Sequence, residues 1–379
     1  MTAAILPGAT LGILGGGQLG RMTAMAARTL GYRIEALDPD PACAARSVLD
    51  RCIAASFDDV EAAEGLARGC DVVTLEIEKI GLDSLRAASR FAPVRPSAEV
   101  LEIVQDRGRQ KSWLESHGFP VGPWRLASSS VQLQEAVADL GGRCFVKATA
   151  GGYDGRSQVE VGGPSEAAAA WTALGEAPCA VERALDLDAE ISVLVARRPG
   201  GEMAVYPPSL NHHEARILEW AVLPGPIPHV VAAGAVEVAC GIAEEIGLVG
   251  LLAVEFFHQA GGSLVVNELA PRPHNTFHTT EVACVTSQFE QVVRAVCDLP
   301  LGSVEVMRPG AIVNLLGDLW LGGAPPAFEK VLELPGVGLH LYGKHTPRAG
   351  RKMGHLSAVA ATAEEAVALA RLAKERLSR

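Results

Sequence analysis

The sequence has little positive charge. Lys and Arg number 33 against 44 Asp and Glu, which gives a net charge of −11 at pH 7. This balance argues against a nucleic-acid partner, because phosphate backbones favour clustered positive charge. It is compatible with small phosphorylated ligands, which need only a few local Lys and Arg residues. We therefore expect small-molecule substrates and no nucleic acid.

Targeting signals, membrane spans and paired cysteines are missing too. The apolar N-terminus has no basic region and breaks into glycines, which predicts a first strand and its turn, not a signal peptide. The uncharged run 220–236 contains three prolines and could not cross a bilayer as a helix. The 8 cysteines form no CxxC pair and no zinc-type cluster, which indicates reduced thiols. We expect a cytoplasmic protein with no membrane partner.

The chain has 379 residues, 49% of them hydrophobic and 20% charged, which is typical of a soluble protein with two or three domains. In the first hundred residues, strands at 10–14, 33–37 and 71–75 alternate with helices at 18–30 and 60–67. This alternation predicts a parallel, doubly wound sheet. The segment FAPVRPS is predicted as its last strand, followed by a helical connector over 106–117.

The rest of the chain changes character twice. A helix at 131–140 and the strand RCFVKA precede a glycine-rich loop, and a strand–helix–strand unit follows it. From residue 189, successive strands predict an antiparallel sheet, with a helix at 236–246 and a hairpin made by LLAVEFF and LVVNELA. Further strands are predicted near Val313, Leu341 and Leu356, and a final helix over 363–377.

A glycine-rich turn follows the first strand. Gly15, Gly17 and Gly20 satisfy GxGxxG, and Asp38 ends the next strand, which outlines a dinucleotide-binding fingerprint. The signal is weak alone, because the same turn occurs in doubly wound sheets that bind no dinucleotide. A nicotinamide-dependent dehydrogenase is therefore one alternative, although it leaves the chemistry of the later residues unexplained.

Two carboxylates lie on the predicted hairpin. If the turn centres on 260–261, Glu255 faces Val266 and Glu268 lies diagonally beside it on the same face. Neighbouring carboxylates repel unless a proton or cation lies between them, and oxygen ligands without His or Cys favour Mg²⁺. The alternative is two edge carboxylates that point into water.

A lysine precedes the glycine-rich loop. Lys147 ends an apolar strand, where a lone cation needs an anionic partner. The loop that follows contains Gly152, Gly155 and Arg156, which suit phosphate oxygens through backbone amides and a guanidinium group. A solvated turn is the alternative.

Several motifs carry a family resemblance: GILGGGQLGRM, Gln105-Asp106-Arg107 with Lys111, FVKATAGGYDGR, NELAPRPHN, TSQFEQ and GRKMGH. Together they resemble the ATP-grasp superfamily and, within it, the 5-(carboxyamino)imidazole ribonucleotide synthetase family. The resemblance implies an α/β (α+β) ATP-grasp fold in three parts. These are a Rossmann-like N-terminal domain (1–105), a connector with a small lid domain (106–183), and a larger central domain with a C-terminal extension (184–379).

The resemblance also implies an activity. ATP and bicarbonate would carboxylate aminoimidazole ribonucleotide through carboxyphosphate in purine biosynthesis, with Mg²⁺ as cofactor and a homodimer as the assembly. Whether the amine captures carboxyphosphate directly or released CO₂ stays open.

Site residues follow from the same resemblance. The implied ATP ligands are Arg107, Lys147, Gly152, Tyr153, Asp154, Gly155, Arg156, Glu182, Glu190, His213 and Asn267. The implied ribonucleotide ligands are Tyr153, Asp154, Arg156, His274, Asn275, Lys344, Arg351 and Lys352. Glu255 and Glu268 would hold the metal. Lys147, Arg272 and Asp154 would be catalytic.

Some positions depart from the family pattern. Ser157 stands where a glycine usually follows YDGR, and Thr276-Phe277 replaces a small Ser-Gly pair, which places a bulky ring beside the expected active site. Two further alternatives stay open. One is another ATP-grasp ligase, such as a formate-using glycinamide ribonucleotide transformylase or a biotin carboxylase-like subunit. The other is a non-catalytic nucleotide-binding module that regulates a partner.

Overall fold

The computed structural model describes residues 3–150, 158–322 and 325–377. Its N-terminal part is a four-stranded parallel sheet of order β3-β2-β1-β4; a parallel sheet was predicted, but strand β3 was not. The strands are β1 (Thr10–Leu14), β2 (Arg33–Asp38), β3 (Arg51–Ala54) and β4 (Val72–Leu75). The helices are α1 (Gln18–Thr29), α2 (Val60–Ala67), α3 (Leu82–Ala88), α4 (Ala98–Val104) and α5 (Arg107–Ser116).

The strand predicted at FAPVRPS is wrong. Only Val94 reaches the sheet there, through an isolated bridge to Val73. Pro93 and Pro96 flank it and have no backbone N–H to donate, so the segment cannot sustain a ladder of strand hydrogen bonds.

The glycine turn is filled by the protein's own carboxylates. Asp38 accepts a hydrogen bond from the amide of Gly16, and Glu76 accepts from the amides of Gly17 and Gly20 at 3.0 and 3.1 Å. A Cβ at Gly15 would lie 2.6 Å from the Glu76 side chain. The glycines are therefore needed for close approach to Glu76. Since the amides that a pyrophosphate would use are already occupied, the dehydrogenase alternative loses its support.

The second part is a small antiparallel sheet of order β5-β8-β6-β7. Its elements are β5 (Trp124–Ala127), α6 (Ser130–Leu140), β6 (Cys144–Ala148), β7 (Gln158–Val161), α7 (Ala167–Ala173) and β8 (Cys179–Arg183). The fully buried side chains of this unit form a separate hydrophobic cluster drawn from residues 127–181. The predicted phosphate loop, including Ser157, lies outside the described residues.

The third part is a nine-stranded antiparallel sheet of order β14-β13-β9-β11-β12-β15-β17-β16, with β10 on β9. Its strands are β9 (Leu187–Arg197), β10 (Met203–Val205), β11 (Ser209–Glu214), β12 (Ile217–Leu223), β13 (Gly250–Gln259), β14 (Leu264–Ala270), β15 (Gly310–Leu316), β16 (Val337–Leu341) and β17 (Lys352–Val359). Its helices are α8 (His229–Glu245), α9 (Thr280–Ala283), α10 (Gln288–Val296), α11 (Phe328–Leu332) and α12 (Ala363–Leu377).

Several elements of this part differ from the prediction, and helices α9, α10 and α11 were not predicted at all. Strand β11 was not predicted, because its sequence SLNHHE has almost no apolar alternation. Helix α8 begins seven residues before the predicted start, directly after Pro228, which supplies the fixed φ angle that suits a helix N-terminus. The antiparallel sheet and the bounds of α12 are confirmed.

Two buried hydrophobic clusters join the first and third parts. Leu14 and Leu101 of the N-terminal part belong to the same buried cluster as Val193 and Leu252 of the large sheet. The first and third parts are therefore packed together, whereas the small sheet has a core of its own. In the part of the chain that the structure describes, no helix has both the length and the apolarity to span a membrane.

Candidate active site

A cleft of about 630 Å³ opens where the three parts meet. It brings together twelve of the residues predicted for the site, from segments far apart in sequence. These are Arg107, Lys147, Glu182, Glu190, His213, Glu255, Asn267, Glu268, Arg272, His274, Asn275 and Lys352. The predicted residues Gly152, Tyr153, Asp154, Gly155 and Arg156 lie outside the described residues. Lys344 and Arg351 are described but do not line the cleft.

The two carboxylates face each other in a register that differs from the predicted one. Glu255 pairs directly with Glu268, and Phe256 pairs with Val266, so Asn267 is the extra residue of a β-bulge. The prediction of a diagonal pair was therefore wrong. The bulge lets both glutamates line the cleft and brings the Asn267 Nδ2 atom to 3.1 Å from Oε2 of Glu255.

The charges of this pair are unequal. Burial and the nearby charge of Glu268 raise the pKa of Glu255. Burial alone would also raise the pKa of Glu268, but Arg107, whose guanidinium lies 3.0 Å from Oε2, lowers it. Glu268 is thus paired closely with a cation, whereas the charge of His213 offsets the burial of Glu255 only in part.

The donor set fits a hard divalent cation. Glu255 and Glu268 supply carboxylate oxygens, and the buried Oδ1 atom of Asn267 has no hydrogen-bond partner among the described residues. Mg²⁺ prefers such oxygen ligands and usually completes its shell with water and substrate phosphates. A cation between the two carboxylates would also offset the repulsion that raises the pKa of Glu255.

Three cations surround one buried carboxylate on the opposite wall. Oε2 of Glu182 lies 3.0 Å from Nζ of Lys147 and 3.3 Å from Nζ of Lys111, and Oε1 lies 3.9 Å from Arg107. Burial alone would favour protonation, yet these cations lower the pKa of Glu182 to about 2. Burial also lowers the pKa of Lys147, although Glu182 opposes that shift. The wall holds more positive than negative charge.

Lys111 was part of a quoted motif but was not predicted as a site residue. It is only 2% exposed and lies one turn after Arg107 on α5, so both side chains project from the same face of the helix. The spacing of four residues was the available signal. Its partner Glu182 is 71 residues away in sequence, and no local pattern reveals that contact.

A histidine–carboxylate pair also lines the cleft. Nδ1 of His213 on β11 is 2.9 Å from Oε2 of Glu190 on the adjacent strand β9. Burial opposes protonation of the ring, but the nearby carboxylate of Glu190 prevails and raises the pKa of His213. A second histidine, His274, lies 3.4 Å from Glu255, and burial with the nearby Arg272 lowers its pKa well below the usual range. His213 therefore gains a proton more readily than His274.

An ion pair that was not predicted links the N-terminal part to the large sheet at the cleft. Nε of Arg272, which follows β14, lies 2.6 Å from Oε1 of Glu78, just after β4. Both side chains are largely buried and both line the cleft. The pair holds the end of the parallel sheet against the large sheet, so that the two parts share one wall of the site.

The basic residues near the C-terminus take different positions in the structure. Lys352 lines the cleft. Lys344 lies behind it and donates to Oε1 of Gln18 and to the carbonyl of Lys352, both at 2.7 Å. Arg351 donates to the carbonyl of Thr346 at the exposed turn. Of the three cations predicted to bind the ribonucleotide phosphate, the structure brings Lys352 to the cleft wall.

The bulky ring expected beside the active site is not there. Phe277 is fully buried and packs against Tyr206, with ring centroids 6.2 Å apart, in a hydrophobic cluster. Its neighbour Thr276 lines the cleft instead. The substitution thus changes core packing, because the short helical turn at Asn275–Phe277 directs the ring away from the site.

The cleft lies between a small and a large antiparallel sheet, and it holds lysine and arginine side chains suited to phosphate together with a carboxylate pair. These features define the class of the protein as an ATP-grasp ligase. The family described as ATP-grasp domain matches residues 112–289. The ribonucleotide synthetase preATP-grasp domain matches 8–105, and the phosphoribosylaminoimidazole carboxylase C-terminal domain matches 310–368.

Relatives that match nearly the whole chain identify the family within this class. The chain is 39% identical over 354 residues to the N5-carboxyaminoimidazole ribonucleotide synthase of Bacillus subtilis, covering 93% of this chain and 92% of the relative. It is also similar to a crystal structure of an N5-carboxyaminoimidazole ribonucleotide synthetase in complex with ADP, at 40% identity, TM-score 0.94 and complete coverage of both chains. The chain belongs to the N5-carboxyaminoimidazole ribonucleotide synthase family.

A third comparison concerns ligands. The synthase of Aspergillus clavatus, solved in complex with ADP and 5-aminoimidazole ribonucleotide, is 29% identical to this chain. Its TM-score is 0.90, and the match covers 98% of this chain and 99% of that one.

Proposed function

We propose that the protein catalyses the ATP- and bicarbonate-dependent carboxylation of 5-aminoimidazole ribonucleotide to 5-(carboxyamino)imidazole ribonucleotide in de novo purine biosynthesis. The observation that carries the proposal is the cleft itself, where cations held by Glu182 face the Glu255–Glu268 pair. A nucleotide polyphosphate with a divalent cation matches both walls at once. The ligands named for the relative from Aspergillus clavatus support the choice of substrates.

For the nucleotide, we assign Arg107 and Lys147 to the phosphates of ATP, together with Gly152, Tyr153, Asp154, Gly155 and Arg156 by resemblance. The remaining predicted ATP ligands are Glu182, Glu190, His213 and Asn267. The distances support the phosphate roles, because Lys147 and Arg107 lie on the same wall and share Glu182. An incoming phosphate would compete with that carboxylate for both cations.

Glu255 and Glu268 are the proposed Mg²⁺ ligands, with Asn267 beside them. When bound, the ion supplies charge stabilisation for the phosphoryl group. Arg107 already contacts Glu268, so it can turn toward a phosphate when that carboxylate gains a cation.

The proposed reaction has two steps. A bicarbonate oxygen attacks the γ-phosphorus of ATP, the bond to the β-phosphate oxygen breaks, and ADP leaves. The exocyclic amine of the ribonucleotide then attacks the carboxyl carbon, either of carboxyphosphate, with inorganic phosphate leaving, or of the CO₂ formed once inorganic phosphate has left, and the amine loses a proton. Lys147 and Arg272 offset negative charge during transfer, and Tyr153, Asp154, Arg156, His274, Asn275 and Lys352 orient the ribonucleotide.

Residues 106–183 are proposed as connector and lid, between a Rossmann-like domain at 1–105 and a central domain at 184–379. The separate hydrophobic cluster within residues 127–181 supports a unit that closes as a body. Closure would exclude water, which otherwise hydrolyses carboxyphosphate. We further propose a cytoplasmic homodimer.

Substrate-stimulated ATP cleavage tests the function. With Mg²⁺ and bicarbonate present, we expect slow ADP release that rises at least about tenfold when aminoimidazole ribonucleotide is added, because the amine substrate completes the closed site. Glycinamide ribonucleotide with formate is the matched control for another ATP-grasp ligase. Stimulation by that control, with none by aminoimidazole ribonucleotide, would overturn the substrate assignment.

Lys352 gives a sharper test of the ribonucleotide site. Lys352→Ala is expected to raise the KM for aminoimidazole ribonucleotide about 10- to 100-fold, the effect of one lost charge-assisted contact, with little change in the KM for ATP. Arg351→Ala should have a smaller effect, because its guanidinium lies at the turn. Arg348→Ala, on the same exposed turn, is the control. Equal changes in both KM values would assign Lys352 to ATP or to the fold.

A further inference from the structure

Two glutamines of the motif TSQFEQ lie on helix α10, and no step of the proposed reaction uses them. Gln288 is the first residue of the helix, and Gln291 follows three residues later. Both side chains are fully buried, and neither lines the cleft. Because buried amide groups are nearly always hydrogen-bonded, the partners of these two side chains indicate what the motif does.

Gln288 holds both polar groups of the His274 backbone. Its Oε1 atom accepts a hydrogen bond from the N–H of His274 at 2.8 Å, and its Nε2 atom donates to the carbonyl of the same residue at 2.9 Å. The Nε2 atom also lies 3.3 Å from Nδ1 of the buried His278. Gln288 therefore pairs with His274 as a neighbouring strand would, and it does so from behind the wall of the cleft.

The sequence around His274 explains why a side chain has to supply these bonds. Pro271 and Pro273 have no backbone N–H, so the segment that follows β14 cannot continue the ladder of strand hydrogen bonds. The segment nevertheless carries Arg272, His274 and Asn275, which all line the cleft. Since backbone groups removed from water need partners, the clamp on His274 satisfies the backbone and fixes the position of the segment.

Two hydroxyl groups extend the clamp to the His274 side chain. The Oγ1 atom of Thr276 lies 2.8 Å from Nδ1 of His274 and so fixes the rotation of the ring. The hydroxyl of Thr280 accepts from the N–H of Gln288 at 2.9 Å and donates to the carbonyl of Phe277 at 2.7 Å. The turn that carries Thr276 is thus tied to the first residue of α10.

Gln291 makes the same pair of bonds at a different place. Its Oε1 atom accepts from the N–H of Gly302 at 2.8 Å, and its Nε2 atom donates to the carbonyl of Gly302 at 2.9 Å. Gly302 does not line the cleft. One helix therefore carries two equivalent clamps, and only the clamp of Gln288 holds a residue of the candidate active site.

We propose that Gln288 is a positioning residue for the ribonucleotide, which acts by holding His274 in place. The proposal rests on the proposed function, in which His274 orients the ribonucleotide. A displacement of about 1 Å at such a group can cost about 100-fold in rate, even when the altered residue does not touch the substrate. ATP binding should be affected less, because Lys147 and Arg107, assigned to its phosphates, are held by Glu182 instead.

A comparison of Gln288→Met with Gln291→Met tests the proposal. Methionine is similar in length to glutamine but has no amide group, so each variant loses the same two hydrogen bonds and both melting temperatures should fall. For Gln288→Met we expect kcat/KM for aminoimidazole ribonucleotide to fall about 10- to 100-fold, with the KM for ATP within about threefold of wild type. For Gln291→Met both quantities should stay within about threefold of wild type.

The hydroxyl of Thr276 gives an independent readout. Thr276→Val removes the contact with Nδ1 of His274 and should raise the KM for aminoimidazole ribonucleotide about tenfold. Thr276→Ser keeps a hydroxyl group and should restore most of that loss. If Gln288→Met fails to fold, Gln288→Glu takes its place, because it keeps the acceptor for the His274 N–H and removes only the donated bond.

A loss specific to the ribonucleotide in the Gln288 variant, absent from Gln291→Met, supports the proposal. Equal losses in the two variants, an equal effect on the KM for ATP, or no loss at all overturns it and assigns both glutamines to the fold. The wild-type protein keeps the two hypotheses apart. If its ATP cleavage is not stimulated by aminoimidazole ribonucleotide, the proposed function fails, and the role of Gln288 fails with it.

Discussion

Replacing Glu268 with glutamine is expected to lower the rate of ATP cleavage by about two orders of magnitude while the protein keeps its fold. Glutamine has the same shape but no charge, so the site loses half of its carboxylate pair. The half-maximal Mg²⁺ concentration should rise as well. Both quantities are measured by ADP release across a Mg²⁺ titration.

Glu268→Gln also removes the carboxylate that the Arg107 guanidinium contacts. A change in activity could therefore come from Arg107 as well as from the metal site. Thermal unfolding with and without ATP separates the two effects, since a misplaced Arg107 weakens ATP binding whereas a weakened metal site lowers turnover. Glu237→Gln, on an exposed position of α8, is the matched control. Activity near wild type with unchanged Mg²⁺ dependence would remove Glu268 from the metal site.

Glu182→Gln is expected to destabilise the protein by about 3 kcal/mol at neutral pH, because it leaves three cations near one another without their shared carboxylate. The residue is buried and lies within 4 Å of Lys147, Lys111 and Arg107. Denaturant unfolding measures the loss. ADP or inorganic phosphate should stabilise the variant more than the wild type, because either anion replaces part of the missing charge.

The pH dependence of this difference has a definite sign. The pKa of Glu182 is lowered to about 2 from an ordinary value of 4.5, so its contribution to stability is complete above pH 4.5. It is lost as the pH falls toward 2. The difference in unfolding free energy between wild type and Glu182→Gln should therefore shrink below pH 4.5.

Glu219→Gln is the control for charge removal. Its carboxylate bonds one cation, Lys374, at 2.7 Å, and both side chains are about a quarter exposed. Pairs of this kind contribute about 0–1 kcal/mol. If Glu219→Gln and Glu182→Gln lower the free energy of unfolding equally, the three cations around Glu182 stabilise the protein no more than a simple ion pair does.

The kind of each large sheet and the last helix were available from the sequence, whereas strands β3 and β11 and helices α9, α10 and α11 were missed. The parallel N-terminal sheet, the antiparallel C-terminal sheet and the last helix follow from periodicity, which depends on neighbours only a few residues apart. The family also followed from the sequence, because its motifs are contiguous runs such as NELAPRPHN. The sequence also predicted that Lys147 lies at the end of a strand and that Glu255 and Glu268 lie on one hairpin.

Contacts across long sequence separations were decided by the tertiary structure. A single bulged residue, Asn267, changed the register of the carboxylate pair, and a one-residue shift leaves no trace in composition. Lys111 and Glu182 meet across 71 residues, and Lys352 reaches the cleft while Arg351 turns away. Periodicity fixes which face a side chain takes within its own element. Packing between elements decides which other side chains it contacts, and the chemistry of this site depends on those contacts.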